Sequence, residues 1–235
     1  MTGFREWMFS EDNPYTLARM GWPSYTSNPD LMAKLPPVSH WFHGSSESFD
    51  KFKMAGVKRR VSHWNNFLGT HFSSDPSLAH KIASLPVYSG RPGGGFTYDV
   101  ELDINNPLDV GQERDMDVQA LQMAYRDGVV TDKDITAVLN KRSYVGDGGS
   151  WSDRQDSPKE LIEKYASLKA EPILNNLGAK RRSVALHYKK QVEAMGHDGI
   201  IYKSSYPGEG YALCAIAFKP EQIKIVKRAE AKADE

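Results

Sequence analysis

Two short segments constrain this chain more than any other feature: Trp41-Phe42-His43-Gly44-Ser45-Ser46 and Gly69-Thr70-His71-Phe72-Ser73-Ser74. Each closes an apolar, aromatic-rich stretch with a cluster of small polar residues, and each is followed by residues that turn or start a helix. A histidine beside a glycine at a strand end presents a ring nitrogen and bare backbone to a ligand. Two such edges in one domain read as two walls of a cleft. A third element, Gly196-His197-Asp198-Gly199-Ile200-Ile201-Tyr202, leads through Glu209 to an apolar run from Tyr211 to Phe218 and brings a carboxylate toward the same cleft.

The bulk properties narrow the classes. A chain of 235 residues buries a full core, as one domain or one domain with a large insertion. Thirty Lys and Arg balance thirty Asp and Glu, which argues against a strongly electrostatic nucleic-acid binder. A lone cysteine, Cys214, excludes an intramolecular disulfide framework and fits a reducing compartment. No apolar run approaches the roughly 20 residues that span a bilayer. Met1 to Ser10 lacks the apolar stretch of a secretory signal, so none is expected.

Along the chain, residues 1–38 read as an aromatic, proline-rich arm that packs on the domain or on a partner. The main domain is expected over 39–227. Phe49 and Phe52 mark an anchored turn, and Met54 to Asn65 a basic, mobile loop. Asp75-Pro76 opens a helix to Ser84. Gly90 to Gly95 is a turn, Phe96 to Leu102 alternates as a strand, and Asn105-Asn106-Pro107 ends it. Residues 113–180 read as a helical, polar insertion on one side of the core. Its helices are expected over Met116–Arg126, Asp132–Leu139 and from Pro158 to about Leu168, with a loop over Tyr144–Gln155. Val184, Tyr188, Val192 and Met195 repeat at helical spacing before a stop at Gly196. Ile200–Tyr202, Tyr211–Phe218 and Ile223–Val226 read as strands. The charged residues from Lys227, and 228–235 in particular, read as a fraying tail.

Each chemical signal has a plain structural alternative. His43 either bonds a ligand hydroxyl or caps a turn. His71-Phe72-Ser73 either offers a ring face and a hydroxyl or is a core strand. Glu209 is either a carboxylate poised at a sheet edge or part of the polar turn Pro207-Gly208-Glu209-Gly210. Gly93-Gly94-Gly95 lacks the ending of a phosphate loop and reads as a hairpin. His63, His80, His187 and His197 have no metal-ligand spacing, so no metal site is expected. Arg59-Arg60 and Arg181-Arg182 read as solvated faces, with guidance of a pyrophosphate as the alternative.

In order and spacing, the three segments resemble the ADP-ribosyltransferase superfamily, on the His–aromatic–acid branch with diphtheria-toxin-like and poly(ADP-ribose) polymerase-like enzymes. They are most similar to the bacteriophage and mobile-element members, including the ADP-ribosyltransferase domains of polyvalent proteins. Phe42-His43-Gly44-Ser45 resembles the first motif, and Gly69 to Ser74 with Ala79 the second. Tyr98 to Leu102 with Asn106 to Val110 resembles the middle strands. Asp198 to Tyr202 with Phe218 to Lys224 resembles the C-terminal end. The likeness covers about 40–110 and 182–227.

The resemblance implies an α+β fold, a split antiparallel β-sandwich with peripheral helices, holding NAD as substrate in its cleft. Within it, His43 and Glu209 would be catalytic. His43 would bond a ribose hydroxyl, the Gly44 backbone would clamp the nicotinamide carboxamide, Ser45 would join the cofactor-binding residues, and the second motif with His71 and Phe72 would form the aromatic wall. Ser73 would touch the nicotinamide side. The family's usual second-motif tyrosine falls on His71. Counting back from Gln222 by the polymerase spacing reaches Cys214, and Glu209 is the nearest acid upstream. The implied reaction is transfer of ADP-ribose to a macromolecule, a protein above all, with release of nicotinamide. NAD hydrolysis and a catalytically degenerate binding protein are the alternatives. No metal, membrane or nucleic-acid partner is implied, and the expected place is the cytoplasm, that of the host if the gene is a phage's.

Overall fold

The computed structural model describes residues 40–53, 63–84, 95–139, 157–206 and 210–231. The N-terminal arm, most of the basic loop at 54–65, the turn at 90–94, the loop at 144–155 and Glu209 lie outside the described residues.

Among these residues seven strands form one sheet: β1 Trp41–Ser45, β2 Thr70–Ser73, β3 Gly95–Leu102, β4 Pro107–Gln112, β5 Gly199–Tyr206, β6 Gly210–Ala217 and β7 Ile223–Ala231. Their order is β4-β5-β6-β2-β1-β3-β7. All pairs are antiparallel except β4 with β5. The sheet is nearly cut in the middle. β1 and β2 share a single register pair, Phe42 with Ser73, whereas β1 pairs with β3 from Trp41 through Ser45. The result is the α+β, split, mostly antiparallel arrangement expected from the sequence.

Among the described residues five α-helices accompany the sheet: α1 Pro76–Ser84, α2 Glu113–Arg126, α3 Asp132–Leu139, α4 Pro158–Asn176 and α5 Lys180–Ala194. Their ends follow local chemistry. Asp75 Oδ1 accepts from the Ser77 amide at 2.8 Å ahead of α1. Ser157 and Glu160 form a reciprocal capping box on α4. Gly196, at φ +92°, takes the left-handed position that stops α5, and the His197 amide reaches back to the Val192 carbonyl. Asp198 then accepts from the Asn105 and Asn106 amides, pinning the β3–β4 turn to the start of β5. No helix among the described residues is long and apolar enough to cross a membrane.

The central strands are buried on both faces. Ile200, Tyr202, Cys214 and Ile216 point into a larger core with the helices, while Ile201, Ala215 and Ala217 point into a second, aromatic core with Trp41, Phe52, Phe72, Tyr98 and Val100. A strand covered on both sides reads as a continuous apolar run, which is what Tyr211–Phe218 is.

Four expectations change. The helices of 113–180 are not a one-sided addition. Met116, Leu121, Ile135, Ile173 and Leu174 build the larger core together with Val184 and Tyr188 of α5. Trp64, in the stretch read as a loop, sits in a short 3-10 turn, Trp64–Phe67, and is fully buried. Complete burial of one such ring contributes on the order of 3 kcal/mol. The last helix of that stretch runs past Leu168 and through Pro172 to Asn176. Finally, Lys227 to Ala231 do not fray. They pair with Asp99 back to Gly95 along β3, and Arg228 donates to the Phe49 carbonyl and to Asp50. Alternating charge there marks an edge strand, which charge protects from further pairing.

Candidate active site

The split between β1 and β2 brings the two histidines of the sequence motifs together. His43 Nδ1 lies 2.8 Å from the His71 carbonyl oxygen. A carbonyl only accepts, so the ring proton is on Nδ1. This bond crosses the split where the main-chain pairing has ended. Around the imidazole stand Phe52, edge-on at 5.2 Å between ring centres, Phe72 at 5.6 Å, Tyr98 at 6.3 Å and Phe49 at 6.4 Å. Phe49 stacks on Tyr98 at 4.2 Å, and the Tyr98 hydroxyl accepts from the Phe49 amide and donates to the Glu47 carbonyl. The turn after the first motif is anchored through these bonds.

Gly44 has a steric reason to be glycine. A Cβ there would lie 2.2 Å from the Ala79 carbonyl oxygen and 2.9 Å from the Ala83 nitrogen. Its absence lets α1 lie directly on β1. The remaining motif residues turn inward. Ser45 is 8% exposed and its Oγ accepts from the Glu47 amide at 3.1 Å. Ser73 is 4% exposed and its Oγ accepts from the Asp75 amide at 3.0 Å, at the entry to α1. Phe72 belongs to the aromatic core. These three shape the lips of the split. Glu209 lies outside the described residues, between the paired positions Tyr206 and Gly210.

The side chain of His71 points to the opposite face from Phe72, into a polar ring that the sequence did not announce. Its Nε2–H donates to the Asn65 carbonyl at 3.1 Å, and its Nδ1 accepts from the Tyr202 hydroxyl at 3.0 Å. Burial holds its pKa below the ordinary histidine value, so it is a neutral imidazole at pH 7. With both nitrogens engaged, it has its ring face to offer a ligand. Asn65 Nδ2 donates in turn to Glu113 Oε1 at 3.1 Å, and Ser204 Oγ donates to Glu113 Oε2 at 2.9 Å. Tyr202 and Cys214 complete the circle on the paired strands β5 and β6. Burial, reinforced by the Glu113 charge, pushes the Cys214 thiol up to about 12, so it stays uncharged.

Behind this ring, Trp64 Nε1 donates to Asp117 Oδ1 at 2.6 Å. Asp117 is 4% exposed, and burial pushes its pKa up to about 8, against the indole bond and with the help of the Glu113, Glu171 and Asp115 charges. Glu113 escaped sequence reasoning because an acid in the first turn of a helix is ordinary complementation of the helix dipole. Other histidines serve the scaffold: His187 bonds Asp127 at 2.8 Å and His197 bonds the Asn106 carbonyl at 3.2 Å.

The arrangement sets an aromatic core on one face of the split and, on the other, a polar ring that holds one carboxylate. No curated protein and no solved structure matches the chain. A family model described as ADP-ribosyltransferase in polyvalent proteins matches residues 38–232, running through the helices of 113–180 as well as the motif segments. That match places the chain: it belongs to the family of ADP-ribosyltransferases found in polyvalent proteins.

Proposed function

We propose that this protein binds NAD in the split between β1 and β2, releases nicotinamide, and transfers ADP-ribose to a macromolecular acceptor, a protein above all. Family membership supports ADP-ribosyl transfer in general. The observation that carries the finer reading is the His43–His71 bridge at 2.8 Å across the split. It fixes the imidazole in one tautomer, with Nε2 in the acceptor form suited to a ribose hydroxyl. Gly44 backbone and the His71 ring face are the groups for the nicotinamide, and the buried Ser45, Phe72 and Ser73 hold them in place.

The chemistry needs little else. Nicotinamide leaves as a neutral base from a cationic glycoside, so the positive charge passes to the ribose as the bond breaks. A fixed carboxylate in a water-poor site stabilises that charge more than it does in water. Glu209 is the carboxylate that the sequence resemblance offers for this task.

Purified protein with NAD, assayed for free nicotinamide, tests the reading, with labelled NAD and cell lysate alongside. Label on a protein acceptor supports transfer, and label on ADP-ribose alone means that water is the acceptor. His43→Ala is expected to lower nicotinamide release at least 10-fold. Neither release nor NAD binding in the wild type, with lysate present, refutes the proposal.

A further inference from the structure

We propose that Glu113 is the carboxylate that faces the ribose cation; this rests on the transferase reading above. Four observations converge on it. Glu113 stands where the end of β4 passes into α2, half-buried at the margin of the larger core. Both of its oxygens are held, Oε1 by Asn65 and Oε2 by Ser204. Both donors are neutral, and among the described residues no lysine or arginine forms an ion pair with it. Its neighbours carry no compensating charge either, since His71 is neutral and Cys214 is a protonated thiol.

A carboxylate that is oriented, partly desolvated and left without a cation is preorganised for positive charge that arrives from outside. It is also joined to the split by a short chain of bonds. His43 holds the His71 carbonyl, the His71 ring holds the Asn65 carbonyl, and Asn65 holds Glu113. Nearby acids are otherwise engaged. Asp117 is closed in with Trp64, Asp115 caps α2 by accepting from the Gln112 amide, and Asp109 accepts from the Gly111 amide.

In the step, the bond from the ribose C1′ to the pyridinium nitrogen breaks and its electron pair returns to the ring, giving neutral nicotinamide. The charge left on C1′ and the ring oxygen is met by Glu113. A lone pair of the acceptor then forms the new C1′ bond, and the acceptor's proton passes to solvent.

The experiment compares wild type, Glu113→Gln, Glu209→Gln and the double variant Glu113→Gln/Cys214→Glu in nicotinamide release, with NAD affinity by calorimetry. Glu113→Gln keeps the shape of the site and one acceptor oxygen for the Asn65 amide, and the Ser204 hydroxyl can turn to accept from the new amide. Its kcat is expected to fall about 100-fold or more, the size of losing one transition-state charge partner, with Kd for NAD within about 3-fold. The double variant places a carboxylate on the adjacent strand and is expected to recover at least 10-fold of the loss. If Glu113→Gln fails to fold, Ser204→Ala takes its place, and a fall in kcat of about 5-fold or more with unchanged Kd is expected. A folded Glu113→Gln, or Ser204→Ala in its stead, that turns over within 3-fold of wild type overturns the assignment while leaving the transferase reading intact. A loss of turnover confined to Glu209→Gln does the same. A wild type that releases no nicotinamide with lysate present brings down the transferase reading itself and this inference with it.

Discussion

Replacing Asp117 by Asn should stabilise the protein progressively as the pH rises. In the folded chain Asp117 is buried against Trp64 and titrates at about 8; unfolded, it returns to about 3.8. Between those values the native state keeps a proton that the unfolded state has lost. Stability therefore falls as pH rises, by about 1.4 kcal/mol per unit. Below pH 4 both states are protonated and there is no penalty; above pH 8 both are ionised and the penalty is complete. Over the whole window it amounts to roughly 4 to 6 kcal/mol, a large share of the 5–15 kcal/mol that holds a typical domain together. Asn keeps an oxygen for the indole N–H and cannot ionise. Urea unfolding followed by circular dichroism at several pH values, for both proteins, gives the difference in unfolding free energy directly. It should grow between pH 4 and pH 8 in favour of Asp117→Asn and then level off. A difference that does not change with pH would refute the argument, because it would mean that Asp117 titrates alike in both states.

Three further outcomes are expected. Gly44→Ala forces a methyl to within 2.2 Å of the Ala79 carbonyl and should cost about 1–3 kcal/mol, a fall in Tm of several degrees by calorimetry. Cys214, whose thiol is pushed up to about 12, should react with a thiol reagent at pH 8 far more slowly in native protein than in urea, and equal rates would show that the thiol is neither buried nor perturbed. Deleting residues 228–235 removes the β7 partners of Gly95 to Tyr98 and should lower Tm, whereas a frayed tail could be cut without effect.

The motif segments were legible because their chemistry is local. Asp75-Pro76 starts α1, Gly196 stops α5, and the alternation of Phe96 to Leu102 makes β3, each within a few residues of its cause. What escaped depends on partners distant in sequence. Trp64 is a core residue only because α2 supplies Asp117 and α5 supplies Tyr188, whose ring meets the indole edge-on at 6.0 Å. By its own neighbours, His63 and Asn65, it sits in a polar loop. The charged residues of β7 read as a tail until β3 is set beside them. The 113–180 helices look polar because each shows only a narrow apolar stripe, and the stripes make a core only when four helices share it. Of the candidate site, His43 and His71 were legible as a pair of edges. The ring of Asn65, Tyr202, Ser204 and Glu113 was not, since its members come from three separate elements and none carries a motif of its own.

The same division explains why the candidate site can be rigid where the sheet is weakest. A sheet whose two halves share one register pair should hinge there, because neighbouring strands joined by so little backbone have little to resist relative motion. The aromatic core removes that freedom. Phe72 and Ala215 come from one half, Trp41, Tyr98 and Val100 from the other, and Phe52 from the turn between them packs against both at 5.5–5.6 Å. Interiors packed at crystal-like density do not deform smoothly. The spacing of β1 and β2 is thus fixed from one face, and on the other it is set by the bond that His71 Nε2 donates to the Asn65 carbonyl and the one that its Nδ1 accepts from the Tyr202 hydroxyl. A ligand bound at this split, as we propose for NAD, would meet groups already in place, which is the condition under which fixed dipoles and a fixed carboxylate stabilise a developing charge. Apolar packing beneath the split and polar bonding along it are therefore two parts of one device that fixes β1 against β2.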